Sequence, residues 1–232
     1  MPEHGEIYAR HAAEYERLVA CEDYRQRILP ELNRIVPFTG RDVVELGAGT
    51  GRLTRQLVPM VRSILACDGS PAMLAVAEAK LKETGLTNWR LAVADHRRVD
   101  EESGRADVAL AGWSVCYLKD WGPPEWEPEV ERALAEMDRL VRRGGHLILL
   151  ETLGTGNETP EIPDNLAPYF ALLERQGFRR NWIRTDYRFR DLAEARELAG
   201  FFFGERILDK LVEADGAVFL PECTGLWWRR VT

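Results

Sequence analysis

Residues 42 to 57 read DVVELGAGTGRLTRQL: an apolar run carrying one carboxylate, Glu45, then glycines at 47, 49 and 51, then a helix-like stretch. Such a turn lets a ligand lie against bare backbone, and three nucleotide-binding templates compete for it. A phosphate-cradling loop needs a lysine and then Ser or Thr after its last glycine, but Gly51 is followed by Arg52 and Leu53. The dinucleotide fingerprint, G-x-G-x-x-G, counted from Gly47 puts Arg52 where the third glycine packs helix on strand. What remains is E-x-G-x-G-x-G. Its carboxylate repels a pyrophosphate and attracts a cation, while the following helix still offers free N–H groups and a positive dipole end. S-adenosylmethionine (SAM) has an ammonium, a sulfonium and no phosphate, and suits such a turn.

The next apolar runs end in acids as well. Asp68 closes one, where a carboxylate can accept from both ribose hydroxyls, and Asp95 closes the next, where with His96 it can meet the edge of an adenine. His96 is expected to make contact through its backbone N–H and not its imidazole. Three carboxylates at the carboxyl ends of adjacent strands converge on the crevice where open parallel sheets bind ligands.

Methyl transfer from a sulfonium is an in-line displacement, so alignment and water exclusion come first and a base is optional. The stretch AGWSVCYLKDW offers Trp113, Tyr117 and Trp121, whose faces can flank an adenine or an acceptor. Glu151 ends a later strand and can orient or deprotonate an acceptor. Near the start, Tyr8, His11 and Tyr15 share one helical face. Cys116 is read as a small buried thiol rather than a nucleophile. FRRNWIRTDYRFR, residues 178 to 190, interleaves arginines with Trp182, Tyr187 and Phe189. It reads as a strand with solvated arginines, although Arg184 and Arg188 share a face that can hold an acceptor anion.

These side chains need a frame. Apolar runs alternate with amphipathic stretches, the pattern of an α/β protein around a parallel sheet. Seven strands are expected, near 42–46, 62–67, 89–94, 106–112, 146–152, 180–188 and 224–231. Ser70 followed by Pro71 starts a helix whose face is Met73, Leu74, Ala77 and Leu81, with Gly85 as its stop. Val130, Leu134, Met137 and Val141 form the face of another helix, and Asp191 with Glu194 has capping-box spacing before a third. Residues 1–40 carry helical pattern ahead of the first strand and form a helical lid in this reading; residues 154–165 read as a loop.

At 232 residues, with 45% hydrophobic and 30% charged, the chain suits one core with additions. Its 31 basic and 38 acidic residues give a net charge of -7, which argues against duplex nucleic acid as a partner. No run approaches the roughly 18 apolar residues of a membrane span, and the start MPEHGEIYARH lacks an apolar signal core, so a cytoplasmic protein without a membrane partner is expected. Cys21, Cys67, Cys116 and Cys223 are scattered without a CxxC pair, so no metal site is expected.

VVELGAGTGRL (43–53), CDGSPAMLAVAEAKL (67–81), VAD (93–95) and MDRLVRRGGHLILLE (137–151) together resemble the class I SAM-dependent methyltransferase family, of small-molecule type. The resemblance covers residues 41–153 well. It implies a doubly wound, Rossmann-like sheet of order 3-2-1-4-5-7-6 with strand 7 antiparallel, spanning 41–232, with a cofactor half (41–153) and a substrate-side half (154–232). It also implies a cofactor over strands 1 to 3 and an acceptor near strands 4 and 5. The SAM contacts expected on this basis are Tyr15, Glu45, Gly47, Ala48, Gly49, Gly51, Asp68, Gly69, Met73, Asp95, His96 and Trp113, with Glu151 and His11 as candidate catalytic groups. The implied reaction moves the methyl of SAM to N or O of a small molecule, leaving S-adenosylhomocysteine, in a monomer or weak homodimer. An RNA methyltransferase and a non-catalytic SAM-binding regulatory subunit are the alternatives. Arg143 stands where the family usually has a proline, a departure confined to a turn.

Overall fold

The computed structural model describes residues 10–232. Ten strands and eight α-helices follow the chain in the order α1 (Ala12–Val19), α2 (Ile28–Ile35), β1 (Asp42–Leu46), α3 (Arg52–Leu57), β2 (Ser63–Asp68), α4 (Pro71–Lys82), β3 (Trp89–Val93), β4 (Ala106–Gly112), α5 (Tyr117–Asp120), α6 (Glu127–Leu140), β5 (Val141–Thr155), α7 (Ala167–Arg175), β6 (Arg179–Arg184), β7 (Tyr187–Phe189), α8 (Leu192–Phe203), β8 (Val212–Ala214), β9 (Ala217–Leu220) and β10 (Glu222–Arg230). A 3₁₀ segment, Glu205–Lys210, follows α8.

Seven strands make one sheet in the order β3-β2-β1-β4-β5-β10-β6. The first five are parallel, and β10 runs antiparallel between β5 and β6. With β10 in the place of the expected seventh strand, this is the doubly wound order implied by the family resemblance. Alternate residues of the central strands face opposite layers, as the strand period of two requires. Val44, Leu46, Ala109, Leu147 and Leu149 pack with Leu134 and Met137 of α6 and Phe170 of α7. Val43, Val108, Leu110, Ile148 and Leu150 pack with Ile28 and Leu32 of α2 and Leu53 and Leu57 of α3. Both faces are covered, which is why these strands are apolar throughout.

The helix starts follow their local chemistry. Ser70 Oγ accepts from Met73 N at 3.3 Å ahead of Pro71, and Asp191 accepts from Glu194 N at 2.9 Å. The return bond of this second box differs from the usual pattern: Glu194 accepts from Arg190 N, at 2.7 Å, and not from Asp191 N.

The sequence-based expectations need correction in three places. The expected strand 180–188 is two strands, β6 and β7, because Thr185 turns inward to a hydrogen bond with Thr224 Oγ1 at 2.6 Å and Asp186 accepts from Arg184 Nε (2.7 Å) and Glu222 N (3.0 Å). Arg184 is therefore spent on Asp186, while Arg188 lies on a different strand, so the two do not form one anion-holding face. β7 then joins β9 and β8 in a second, three-stranded sheet that the periodicity did not show. β5 runs from Val141 through Thr155, so Val141 opens a strand and does not extend the helix face, and the loop starts later than residue 154. The second sheet shares a core with α1 and α8 through Leu18, Phe189, Leu198, Phe202 and Leu220. No described helix is long and apolar enough to cross a membrane.

Trp227 of β10 anchors α7 to the main sheet. It is fully buried, stacked on Phe170 at 4.4 Å between ring centroids, and leaves no room for a side chain at Gly225, where a Cβ would lie 2.4 Å from its ring. Trp227→Ala should cost about 3–5 kcal/mol of unfolding free energy in a urea titration. A loss below about 1 kcal/mol would show that β10 does not carry this packing.

Candidate functional site

The carboxyl ends of β1, β2, β3 and β4 open on one crevice of about 790 Å³. Its lining brings together Tyr15, Glu45, Gly47, Ala48, Gly49, Asp68, Gly69, Asp95, His96 and Trp113 from segments far apart in sequence. Tyr117, Leu118 and Trp121 add an aromatic and apolar wall, in which Tyr117 and Trp121 stack at 4.1 Å.

The turn after β1 is shaped by three glycines with positive φ. A Cβ on Gly47 would fall 2.3 Å from Ser114 Cβ, and one on Gly51 would fall 3.0 Å from Ala77 Cβ. Those two bare positions are filled by the protein itself. At Gly49 the nearest atom to such a Cβ is Tyr15 Cε1 at 3.9 Å, so the space for a ligand against bare backbone is there. Gly51 is the N-cap of α3 and not a lining residue.

Asp68 fixes the turn from the neighbouring strand: one carboxylate oxygen accepts from Gly49 N at 2.8 Å and the other from Ser70 N at 2.7 Å. Each oxygen keeps a lone pair that can face the crevice. Glu45 is 2% exposed and accepts from Thr54 Oγ1 at 2.6 Å. Burial pushes its carboxyl up to about 7, against the opposing pull of the Thr54 bond and the Arg52 charge.

Asp95 lines the crevice and has a protein partner as well. Its carboxylate accepts from Arg97 N, Nε and Nη2 at 2.8, 2.7 and 2.5 Å, and these bonds hold it down to about 2. Arg97 continues to Glu129 at 2.5 Å. The His96 imidazole, which the sequence reading set aside, turns toward Gly47. Its Nε2 is sealed from solvent without a hydrogen-bond partner, and burial lowers its pKa, keeping the ring neutral.

Several expected residues do not line the crevice. Met73 is 1% exposed within the core under α4. Glu151 is fully buried, accepting from Tyr169 Oη at 2.9 Å and Cys116 N at 3.2 Å, and burial raises its carboxyl to about 7. His11 sits at the start of α1, edge-on to Phe201 at 5.5 Å and 3.6 Å from Glu14. Tyr8 lies outside the described residues. Burial raises the Cys116 thiol well above its ordinary range. Among the described residues no His, Cys, Asp and Glu cluster is arranged to hold a metal.

One feature escaped the sequence reading altogether. Arg52, which served there to exclude a template, lines the crevice; its guanidinium lies 4.0 Å over the Trp113 ring and is paired with Glu22. Glu22 also accepts from Tyr187 Oη at 3.1 Å. Burial raises the Glu22 carboxyl despite Arg52, and neighbouring Glu222 is pushed to about 8, first by burial and then by the Glu22 charge. The three partners of this group come from distant segments, so no local pattern announced it.

Comparison with known proteins agrees with this geometry. A family model described as a methyltransferase domain matches residues 44–149. An uncharacterized methyltransferase of Mycobacterium tuberculosis is 34% identical over 149 residues, covering 62% of this chain and 55% of the relative. The demethylmenaquinone methyltransferase of Lactococcus lactis is 26% identical over 153 residues, 63% of this chain and 57% of the relative. The chain thus spans little more than half the length of these curated relatives. Among solved structures, phosphoethanolamine N-methyltransferase 2 of Haemonchus contortus, in complex with S-adenosyl-L-methionine, aligns with a TM-score of 0.62 at 16% identity, over 100% of this chain and 60% of that one. A SAM-dependent methyltransferase from Aquifex aeolicus aligns with a TM-score of 0.57 at 14% identity, over 95% and 98%.

The buried Glu45 carboxyl has a measurable consequence. Its folded-state pKa lies above the 4.5 of the free group, so the folded protein keeps this proton while the unfolded chain releases it. Below pH 4.5 both states are protonated and the group contributes no pH dependence. Between 4.5 and about 7 its contribution to stability falls as pH rises, and above 7 the full cost remains. Glu45→Gln should therefore be more stable than the wild type by on the order of 1–3 kcal/mol at pH 8, with the gap closing toward pH 4.5. Denaturant titrations at both pH values check this; a gap that does not narrow at low pH would contradict a protonated Glu45.

Proposed function

We propose that the chain is a class I SAM-dependent methyltransferase, that the crevice binds SAM and that the protein transfers its methyl group to an N or O atom of a small molecule. The observation that carries this reading is the convergence of Glu45, Asp68 and the Asp95–His96 strand end, each from a different strand, on one crevice that also contains the open backbone at Gly49.

The residues suit the parts of the ligand. A buried carboxyl near neutral pKa, held by one hydroxyl, gains most from a cationic partner, which restores its charge; Glu45 faces the ammonium in this reading. Asp68, already aimed by two backbone donors, takes the ribose hydroxyls. Asp95, aimed by Arg97 and with half of its side chain still open, takes the exocyclic amine of the adenine, with the His96 backbone beside it. Bound SAM supplies an electrophilic methyl on sulfur. The chain's part is alignment and exclusion of water, for which Tyr15 and Val19 of α1 and the aromatic groups of Trp113, Tyr117 and Trp121 line the crevice. Glu151 does not line the crevice, and its role here is to hold Cys116 N and Tyr169, fixing the start of α5, where Tyr117 stands.

A small acceptor is favoured over RNA by where the arginines lie. None of Arg179, Arg180, Arg184 and Arg188 lines the crevice, and Arg184 is paired within its own strand turn. The relatives named for menaquinone and phosphoethanolamine chemistry act on small acceptors by their names, and we extend that class to this chain.

Incubating the protein with methyl-labelled SAM and separated metabolite and RNA fractions tests the reading. Label is expected in the metabolite fraction. Label in RNA would replace the acceptor class, and SAM binding without labelled product would make the protein a regulatory subunit. Asp68→Ala should weaken SAM binding by about 10- to 100-fold by calorimetry, the scale of a lost charge-assisted hydrogen bond; unchanged affinity would remove Asp68 from the ribose site.

A further inference from the structure

Resting on the SAM reading above, we propose that Arg52 holds the α-carboxylate of the ligand, so that Arg52 and Glu45 form a clamp for an amino-acid zwitterion at one end of the crevice. The two side chains come from the two arms of the glycine turn, Glu45 from β1 and Arg52 from the first residue of α3, and both line the crevice.

The guanidinium has capacity left after its protein contacts are counted. Its Nη1 donates to Glu22, and one face rests on Trp113. Nε and Nη2 make no hydrogen bond among the described residues, and the side chain keeps 16% of its surface open while Glu22 keeps 4%. An arginine retained only to pair with Glu22 would not need to line a crevice with one edge of its planar fork unspent. That edge matches a carboxylate, which accepts two parallel N–H bonds. Stacking on Trp113 and the Glu22 bond fix the fork in place, so little side-chain entropy is lost when the anion arrives.

The other lining cation does not compete. Arg97 spends Nε and Nη2 on Asp95 and Nη1 on Glu129. A ligand carboxylate therefore finds its donors beside Glu45 and Gly49, and the adenosyl part is directed toward Asp68 and Asp95. The ion pair to Glu22, itself bonded by Tyr187 of the second sheet, makes Glu22 a positioning residue for this clamp.

The test compares two ligands that differ in the amino-acid end. S-adenosylhomocysteine carries it, and 5′-methylthioadenosine lacks it. Calorimetric titration of the wild type, Arg52→Gln, Arg52→Lys and Glu22→Gln separates the possibilities. Arg52→Gln is expected to weaken S-adenosylhomocysteine by about 10- to 100-fold while leaving 5′-methylthioadenosine within about twofold, with Arg52→Lys recovering part of the loss and Glu22→Gln showing a smaller loss of the same selectivity. Equal losses for both ligands, or none for S-adenosylhomocysteine, would overturn the clamp. Failure of both ligands to bind the wild type would overturn the SAM reading itself, and the clamp with it. A selective loss of acceptor KM with unchanged S-adenosylhomocysteine affinity would assign Arg52 to the acceptor's anion and also overturn it.

Discussion

A single carboxylate sets the geometry of the crevice. Asp68 accepts Gly49 N from the β1 turn and Ser70 N from the start of α4, so the end of one strand dictates the backbone course of two neighbouring connections. Ser70 in turn caps α4, and α4 presents Ala77 against Gly51, closing a loop of contacts from β2 back to the glycine turn. The bare backbone at Gly49 is thereby held open before any ligand arrives, and little reorganisation is left for binding to drive.

The electrostatics of the site follow from burial. Glu22, Glu45 and Glu222 lie out of water around Arg52, and all three carboxyls are raised, burial being the largest cause in each case. One guanidinium cannot balance three ionised neighbours, so part of the acidity is held as protons. A zwitterionic, net-cationic ligand offers the missing positive charge on one side and takes up spare donors on the other. Affinity and proton release are linked in such a pocket, and the protonation of the turn becomes part of how it senses its ligand.

How much of this was legible in the sequence depends on the range of the pattern. The periods of the first four strands, the Ser70–Pro71 start and Asp68 at its strand end are local signals, and each stands close to where its spacing placed it. The glycine turn was read for its ligand but not for its own packing: only coordinates reveal that Ser114 and Ala77 occupy the space beside Gly47 and Gly51. The partner of Asp95 was not announced: a carboxylate two residues before an arginine is easily bound by it, as Asp95 is by Arg97. The break at Thr185–Asp186 escaped because its cause, the bond to Thr224, lies 39 residues away, and β8 and β9 are short strands without clear alternation. Glu151 and His11 were chosen for residue type and strand-end or helix-face position, which do not reveal whether a side chain points to a crevice or into a core.

The division of labour among the three glycines carries a consequence for how the chain can vary. Gly47 and Gly51 are barred from larger residues by Ser114 and Ala77, whether or not anything is bound. Gly49 has room beside it, and beyond the cost of about 1–2 kcal/mol for a side chain at positive φ, what a substituent there obstructs is the crevice. A lineage of this protein that abandoned its cofactor would be released from constraint at the middle glycine while remaining bound at the outer two. Decay of the motif would therefore begin at its centre, and a homologue with only that position replaced would record a lost activity on an intact fold.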